Sequence, residues 1–351
     1  MALHSPMQTS KPGLPKLEES PMHRVEIAEA ALLASVAFVV PMRVDGPDRH
    51  WNLKSTLGFL TRNCPDADIL VVEQDVTSQI QDVLAMYPQV RHLLQLNAGS
   101  FKKAEAVNAG ACDTDRRYIC IYDTDVLIAP QAIAAALHAM ERRGWRIALP
   151  FNHIFLDVRG SLRTRLGEQG VIAGYDQICR LELAGSIPES TPRFLGGGIC
   201  IIQREIFLAE GGLNKKMVSY GWEDTELIKR FDILGYPVLR IPGFNLIHLD
   251  HARGVDSKPN QHFATNEQEF RKVSAMSREE LQKYVVTDLS LTCLGDSAAL
   301  ARVRTEARCW IPVGLMRLVS FVTLVRIHVR AHGWQRVIGR ALPSVLQPRN
   351  P

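Results

Sequence analysis

A short apolar segment that ends in two carboxylates constrains the fold of this chain more than any other feature. Residues 118–122 read YICIY, a run rich in aromatic and β-branched side chains that is typical of a strand buried on both faces. Asp123 and Asp125 follow this run directly. Because open α/β sheets bind ligands at the carboxyl ends of their strands, we expect both carboxylates to lie at a ligand site.

The chemistry of this aspartate pair indicates a metal ion beside a diphosphate. Mg²⁺ and Mn²⁺ take oxygen ligands, and they typically use one or two carboxylates together with substrate phosphates. Asp is also common where a strand turns into a loop, which leaves a purely structural role open for the pair alone. The surroundings of the pair therefore decide between the two interpretations.

Predicted strands and helices alternate on both sides of the pair. The strands are predicted over 36–40, 69–72, 90–96, 147–150, 194–202, 236–241 and 246–248. The helices are predicted over 51–62, 78–86, 101–110, 130–143, 203–211, 223–234 and 277–284. The pattern weakens from about 151 to 192, where we expect loops around an irregular helix. Such alternation indicates an α/β fold with a mainly parallel, doubly wound sheet.

Composition excludes some classes of function. The net charge of +4, from 41 basic and 37 acidic residues, is too mild to indicate a nucleic-acid partner. Seven scattered Cys without a C-x-x-C spacing predict buried free thiols in a reducing compartment. A length of 351 residues suits one large domain with an appendage, or two domains.

The two ends of the chain give separate expectations. Residues 1–22 are rich in Pro, Ser and Lys, so we expect disorder there and no signal peptide, and Glu26 and Glu29 argue against a membrane span. We therefore expect a cytoplasmic protein. Residues 311–325 carry one charge, and arginines follow as far as 340. This tail either packs on the main domain or forms an interfacial helix at the inner face of the membrane.

Polar motifs follow several of the predicted strands. Pro41-Met42-Arg43 closes the first strand and Glu73-Gln74-Asp75 closes the second, so both belong at the same sheet edge as the aspartate pair. Downstream, the chain carries three glycines at 196–198, the motif YGWED at 220–224, and two histidines, His248 and His251.

In this order the motifs resemble the beta-1,4-galactosyltransferases. Residues 194–231 are similar to the galactosyltransferase-type C-terminal region of metal-dependent nucleotide-sugar glycosyltransferases. The matching residues outside that region are Pro41, Arg43, Phe101, Lys103, Ala104, Asn108, Gly110, Asp123, Asp125, His251, Arg253, Pro259 and Asn260. The likeness runs from about 36 to 263, roughly two-thirds of the chain.

The resemblance implies a GT-A fold, in which a Rossmann-like, mainly parallel sheet is flanked by helices. It places the catalytic domain at 23–275, with a donor half at about 36–150 and an acceptor half at about 190–265. Residues 276–351 are then a C-terminal helical region.

The resemblance also implies the site residues. Asp123, Asp125 and His251 would hold Mn²⁺ or Mg²⁺, while Asp224 would act as general base beside Glu223. The residues expected to bind or border a UDP-sugar donor are Pro41, Arg43, Glu73, Asp75, Phe101, Lys103, Asn108, Asp123, Gly197, Gly198 and Trp222. The predicted reaction moves a sugar to a hydroxyl of a carbohydrate or glycoconjugate acceptor, with inversion.

General chemistry agrees with these implied roles. A sugar hydroxyl is a poor nucleophile until a carboxylate takes its proton, and a departing diphosphate needs a cation to absorb its charge. The acids Glu223 and Asp224 could instead serve only the helix dipole. We interpret His248 as a packed histidine at a strand end, and His251 as a ligand.

This sequence departs from the family's pattern at several positions. Lys103 stands where Arg is usual, which keeps the charge but loses the bidentate fork. Tyr220 replaces a usual Trp, and Trp222 fills a position where the family usually has a small residue. Leu195, at the donor-pocket position before the glycines, does not indicate which donor sugar is used. The family's animal members carry an N-terminal membrane anchor that is absent here, so we do not expect a secretory glycoprotein as acceptor.

Two alternatives remain. One is a retaining enzyme resembling N-acetylgalactosaminyltransferases, which share the Gly-Gly and Trp-Gly-Glu region. The other is a sugar- or nucleotide-binding module that kept the fold and lost turnover. The intact residues of the expected site argue against it, namely Asp123, Asp125, Asp224 and His251.

Overall fold

The computed structural model describes residues 30–152, 154–169, 190–194, 197–254, 256, 260–291, 293, 315, 316 and 318. The predicted disordered segment at 1–22 lies outside these residues, and so does most of the predicted tail helix. Leu195, Gly196 and Pro259 lie outside them as well. The expectations for these parts of the chain stay predictions.

The described chain contains eleven strands, numbered here in chain order. They are β1 Val36–Met42, β2 Asp68–Asp75, β3 Arg91–Leu96, β4 Tyr118–Tyr122, β5 Val126–Leu127, β6 Ile147–Leu149, β7 Ile154–Val158, β8 Ser190–Phe194, β9 Ile199–Gln203, β10 Leu239–Arg240 and β11 Leu246–Leu249.

Seven of the strands form the central sheet, in the order β10-β6-β9-β4-β1-β2-β3. All neighbours are parallel except β9, which runs antiparallel to both β4 and β6. Every residue of β1 and β4 is buried, as the unbroken apolar runs predict for strands covered on both faces. The predicted mainly parallel α/β sheet is therefore confirmed.

The helices cover this sheet and carry several site residues at their first turns. They are α1 Pro47–Asn63, α2 Gln81–Leu84, α3 Lys103–Cys112, α4 Pro130–Arg143, α5 Gly160–Gln169, α6 Arg204–Ala209, α7 Glu223–Leu234, α8 Phe263–Ala275 and α9 Arg278–Tyr284. Ser277 and Glu280 form a capping box at the start of α9. In the described part of the chain, no helix is long and apolar enough to span a membrane.

A smaller four-stranded sheet, in the order β5-β11-β7-β8, lies next to the aspartate pair. Its strand β11 pairs antiparallel with β5 and parallel with β7, so His248 stands opposite both Val126 and Asp157. The sequence analysis expected loops where β7 lies, and it did not predict α8. Only Asn266 and Val273 of α8 are buried.

The prediction that the cysteines are free thiols is wrong for two of them. Cys112, at the end of α3, forms a disulfide with Cys293, and their Cα atoms are 5.8 Å apart. The sequence separation of 181 residues hides this pairing from any local pattern. Cys64, Cys120 and Cys200 are buried and free, as predicted.

Candidate active site

A cleft of about 520 Å³ opens at the carboxyl ends of β1 and β4. This is the edge at which open α/β sheets bind ligands, and it is the edge that the sequence predicted. Most of the predicted site residues line the cleft, namely Pro41, Arg43, Phe101, Lys103, Asp123, Asp125, Gly197, Gly198, Trp222, Glu223 and Asp224.

Asp125, His248 and His251 form a candidate metal centre at one side of the cleft. All three are buried, and their candidate ligand atoms lie within 4.8 Å of one another. Oδ2 of Asp125 is 3.0 Å from Nε2 of His251 and 3.8 Å from Nε2 of His248. Sequence reasoning missed His248, although its spacing of three residues from His251 is a signal that could have identified it.

The residues around the two imidazoles orient them for a metal ion. Nδ1 of His251 lies 2.7 Å from the carbonyl oxygen of Ala252, so a proton at Nδ1 leaves the lone pair of Nε2 directed at Asp125. That Nε2 is buried, and it makes no well-formed hydrogen bond to the described residues. Nδ1 of His248 lies 2.8 Å from Oδ1 of Asp157, an ion-pair contact that is not a well-formed hydrogen bond but keeps a carboxylate beside the ring. The residues present therefore fit a divalent cation.

The charge of Asp125 suits the same role. Burial pushes the pKa of this carboxyl upward, but the positive charges of His248 and His251, when both imidazoles are protonated, and of Arg49 outweigh burial and hold the pKa below its ordinary value. Nη1 of Arg49 lies 2.6 Å from Oδ2 of Asp125. Asp125 is therefore an anion at neutral pH.

Asp123 lies apart from this cluster and faces Lys103 instead. Nζ of Lys103 is 3.0 Å from Oδ1 of Asp123, 3.2 Å from Oδ1 of Asp224 and 3.9 Å from Oε1 of Glu223. Burial opposes the charge of Lys103, but these carboxylates outweigh burial and raise the pKa of the ammonium well above its ordinary value. The predicted metal contact of Asp123 stays a prediction.

Two acids of this second cluster have raised pKa values. Burial raises the pKa of Glu223 to about 7, with the charge of Asp224 adding to the effect and Lys103 opposing it. Burial likewise raises the pKa of Asp123 to about 6, against the pull of Lys103. Such perturbed acids in a cleft are typical of functional sites.

The turn that precedes α7 is held by α8. The side-chain amide of Asn266 donates to the carbonyl oxygens of Val218 and Gly221, at 2.9 and 3.0 Å, and its oxygen accepts from the backbone N–H of Val218 at 3.1 Å. Trp222 adopts a left-handed φ of 73°, and its ring stacks on Phe270 with the centroids 4.8 Å apart. This support fixes the positions at which Glu223 and Asp224 begin the helix.

Arg43 borders the cleft, but its guanidinium makes hydrogen bonds within the protein. It donates to the carbonyl oxygens of Gln74, Asn97 and Gly99, and it lies 3.6 Å from Asp256. It thereby ties the end of β1 to the end of β2 and to the segment that follows β3. Its predicted contact with a donor is not tested by these hydrogen bonds.

Three of the predicted donor residues do not line the cleft. Glu73 is buried and accepts hydrogen bonds from Ser78 and Gln79. Asp75 accepts from the backbone N–H of Val76. Asn108 exchanges two hydrogen bonds with the backbone of Leu213. Each has a structural role that a local pattern does not distinguish from ligand binding.

Comparison with known proteins agrees with the resemblance. The family model described as the N-terminal domain of galactosyltransferase matches residues 185–252, which include the YGWED motif and both histidines. No curated protein matches the chain.

Several solved structures are similar to the chain at low sequence identity. GalNAc-T7 with UDP, GalNAc and Mn²⁺ is 13% identical, with a TM-score of 0.48, and the match covers 93% of this chain and 71% of that one. The mannosyltransferase PcManGT from Pyrobaculum calidifontis is 14% identical, with a TM-score of 0.43 and coverage of 89% and 87%. Drosophila beta1,4galactosyltransferase 7 in complex with xylobiose is 16% identical, with a TM-score of 0.41 and coverage of 69% and 81%.

The family-model match confirms the predicted galactosyltransferase-type region and, with it, the predicted enzyme class, a glycosyltransferase.

Proposed function

We propose that this chain is a metal-dependent glycosyltransferase that moves a sugar from a UDP-sugar to a hydroxyl of a carbohydrate or glycoconjugate acceptor, with inversion. One observation carries the proposal. One cleft is bordered both by Asp224 and by Asp125 and His248, which belong to the buried Asp-His-His cluster. These are the two devices that sugar transfer from a nucleotide diphosphate needs, a cation for the leaving group and a base for the acceptor.

Asp125, His248 and His251 would hold the metal ion. A bound cation would supply the charge that offsets the negative charge on a departing diphosphate. Mg²⁺ prefers oxygen ligands, whereas imidazole suits transition metals, so two histidines beside one carboxylate favour Mn²⁺ over Mg²⁺. Asp157 would orient His248 in this arrangement, since it lies 2.8 Å from the other ring nitrogen.

Asp224 is the base that we propose for the acceptor hydroxyl. It lines the cleft at the first turn of α7, where its oxygens are 3.2 and 3.3 Å from Nζ of Lys103. Glu223 points back and accepts a hydrogen bond from the backbone N–H of Gly221 at 2.8 Å, so it fixes the turn while Asp224 faces the cleft. A single carboxylate placed to take the acceptor's proton suits inversion.

Aromatic side chains border the proposed acceptor end of the cleft. Tyr220, Trp222 and Phe263 line it together, and Tyr220 is 38% exposed. Binding sites for small ligands are typically bounded by such side chains with a few polar groups among them. We therefore assign this end to the acceptor. The cytoplasmic location and the contact of residues 311–340 with a membrane stay predictions of the sequence.

A panel of UDP-sugars with Mn²⁺ and candidate acceptors tests the proposal, with UDP release as the readout and NMR of the product anomer as the test of inversion. We expect at least one donor to be turned over by the full chain. Asp224→Asn should keep UDP binding and lose about 10²–10⁴-fold in rate, as expected for loss of a general base. Asp232→Asn, on the same helix but outside the cleft, is the matched control and should keep its rate.

The other outcomes separate the alternatives. UDP binding without UDP release from any donor would identify a binding module. A product that retains the donor's anomeric configuration would identify the retaining alternative. An Asp224→Asn variant with a normal rate would contradict the assignment of the base.

A further inference from the structure

Arg49 lies between two carboxylates at the edge of the candidate metal centre. Its Nη1 atom is 2.6 Å from Oδ2 of Asp125, and its Nε atom is 3.4 Å from Oδ1 of Asp45. The Arg49 side chain is 22% exposed, whereas that of Asp125 is 8% exposed. Arg49 belongs to the first turn of α1 and matches none of the motifs that the sequence analysis singled out.

The oxygen that Arg49 contacts is the oxygen on which the metal cluster converges. Oδ2 of Asp125 is the atom measured at 3.0 Å from His251 and at 3.8 Å from His248. A divalent cation bound to that oxygen would stand beside the guanidinium, in a partly buried place where like charges repel strongly. The guanidinium and the metal ion therefore compete for Asp125.

Asp45 gives Arg49 a second position. Asp45 borders the same cleft, and Gly254 packs so closely on it that an added Cβ would lie 1.8 Å from Oδ2 of Asp45. The Asp45 carboxylate therefore packs directly against the backbone of Gly254. Arg49 can thus release Asp125 while it keeps an ion pair with Asp45.

We propose that Arg49 gates the metal centre by holding Oδ2 of Asp125 in the free enzyme, so that a divalent cation binds weakly until a nucleotide diphosphate is present. The inference rests on the proposed function, because it takes the cluster to be a metal site that serves a diphosphate. The negative charge of the diphosphate offsets both cations at once. Metal and nucleotide then raise each other's affinity, and Arg49 supplies part of that coupling.

A purely structural role for Arg49 makes the opposite prediction. If the guanidinium only holds Asp125 in the orientation that a metal ion needs, its removal weakens metal binding. If it competes with the metal, its removal strengthens metal binding in the absence of nucleotide. The sign of the change therefore distinguishes the two roles.

The experiment is a titration of the full chain with Mn²⁺ alone, followed by free Mn²⁺ in electron paramagnetic resonance, and then repeated with saturating UDP. We expect Arg49→Met to bind Mn²⁺ about tenfold more tightly than the unsubstituted chain without UDP, at the lower end of usual coupling between sites. The factor by which UDP increases the Mn²⁺ affinity should be smaller in Arg49→Met by the same tenfold. Lys54→Met removes one exposed positive charge from the same helix and should change neither affinity.

A double-mutant cycle tests the part assigned to Asp45. Asp45→Asn should weaken Mn²⁺ binding when Arg49 is present, because Arg49 then has only Asp125 as its anionic partner. The same substitution should have a much smaller effect in the Arg49→Met background, since two side chains that act through one another are not additive. Equal effects in both backgrounds would show that Asp45 acts on the metal by itself and would overturn the two-position mechanism.

Arg49→Met with unchanged or weaker Mn²⁺ binding would overturn the gate. If Asp125→Asn abolishes Mn²⁺ binding in that case, the metal centre stands and only the gate fails. If Asp125→Asn binds Mn²⁺ as well as the unsubstituted chain, the metal assignment in the proposed function fails as well. Should Arg49→Met not fold, Arg49→Gln also removes the positive charge while it keeps a polar side chain, and its Mn²⁺ affinity must then lie above that of the unsubstituted chain.

Discussion

The carboxylate of Asp224 lies against the bare backbone of Gly197. A Cβ atom at that glycine would come within 2.0 Å of Oδ2 of Asp224. On its other side, the same carboxylate faces Nζ of Lys103. Gly197 therefore makes room for the side chain that we propose as the base, whereas the sequence predicted that Gly197 binds or borders the donor.

Gly197→Ala should displace Asp224 and lower the rate while leaving the fold intact. The added methyl group meets a side chain that can move, so stability changes little. A catalytic group displaced by about 1 Å can lose about 10²-fold in rate. UDP release and a thermal melt measure the two effects.

The matched control for this substitution is Gly46→Ala. A Cβ atom at Gly46 has no heavy atom within 4 Å, so both the rate and the melt should stay unchanged. A Gly197→Ala variant with a normal rate would show that Asp224 has room to adjust, or that it is not the base.

His248 should prove to be as important to metal binding as His251. His248→Ala removes one of the three candidate ligands, and we expect Mn²⁺ affinity to fall by at least about tenfold. Asp157→Asn, which alters only the residue beside the ring, should cost about 10–100-fold as an outer-shell change. Both affinities are measured by calorimetry in the presence of UDP.

His138→Ala is the control for the histidine substitution, since His138 lies on α4 and does not border the cleft. It should bind Mn²⁺ normally. Normal Mn²⁺ affinity in His248→Ala would show that His248 is not a metal ligand. His248 would then be a packed histidine at a strand end, as the sequence indicated.

The sequence predicted the part of the site that depends on local pattern. A buried strand that ends in Asp123 and Asp125 has to deliver both residues to the sheet edge, and the structure places them there. The role of His248 depends instead on the pairing of β11 with β5, which sets His248 opposite Val126 across more than a hundred residues. No periodicity within either segment contains that information.

The predicted donor residues that do not line the cleft have a similar explanation. Glu73 closes a predicted strand as the aspartate pair does, yet its carboxylate turns inward to Ser78 and Gln79. Arg49 is the opposite case, a residue near the metal centre that no sequence motif marks. Its contact with Asp125 exists only because the fold places α1 beside that residue. Strand ends can be located from sequence, but the direction of each side chain there depends on the elements packed around it.

Asn266 should act as a positioning residue for the turn before α7. Asn266→Ala removes three hydrogen bonds and leaves the backbone groups of Val218 and Gly221 without this partner. We expect a loss of about 1–3 kcal/mol in the free energy of unfolding, from urea denaturation, together with a lower rate. Asn266→Asp keeps the acceptor for the N–H of Val218 but loses both donated bonds, so it should recover only part of the loss. Full activity in Asn266→Ala would assign the turn's geometry to Trp222 and its stack on Phe270 instead.

The disulfide between Cys112 and Cys293 should stabilise the fold without serving catalysis. It closes a loop of 181 residues, so its reduction should lower the free energy of unfolding by about 2–4 kcal/mol, chiefly through the entropy of the unfolded chain. Helix α3 has a second attachment between its cleft end and Cys112, because Asn108 holds the backbone of Leu213 through two hydrogen bonds. We therefore expect reductant to lower the midpoint of urea unfolding while the rate of UDP release at 25 °C stays unchanged.

The Cys112→Ala/Cys293→Ala double variant is the internal control, since its unfolding should be the same with and without reductant. An equal response of both proteins to reductant would show that the effect comes from another thiol, and a loss of rate on reduction would show that the tether also holds the active site.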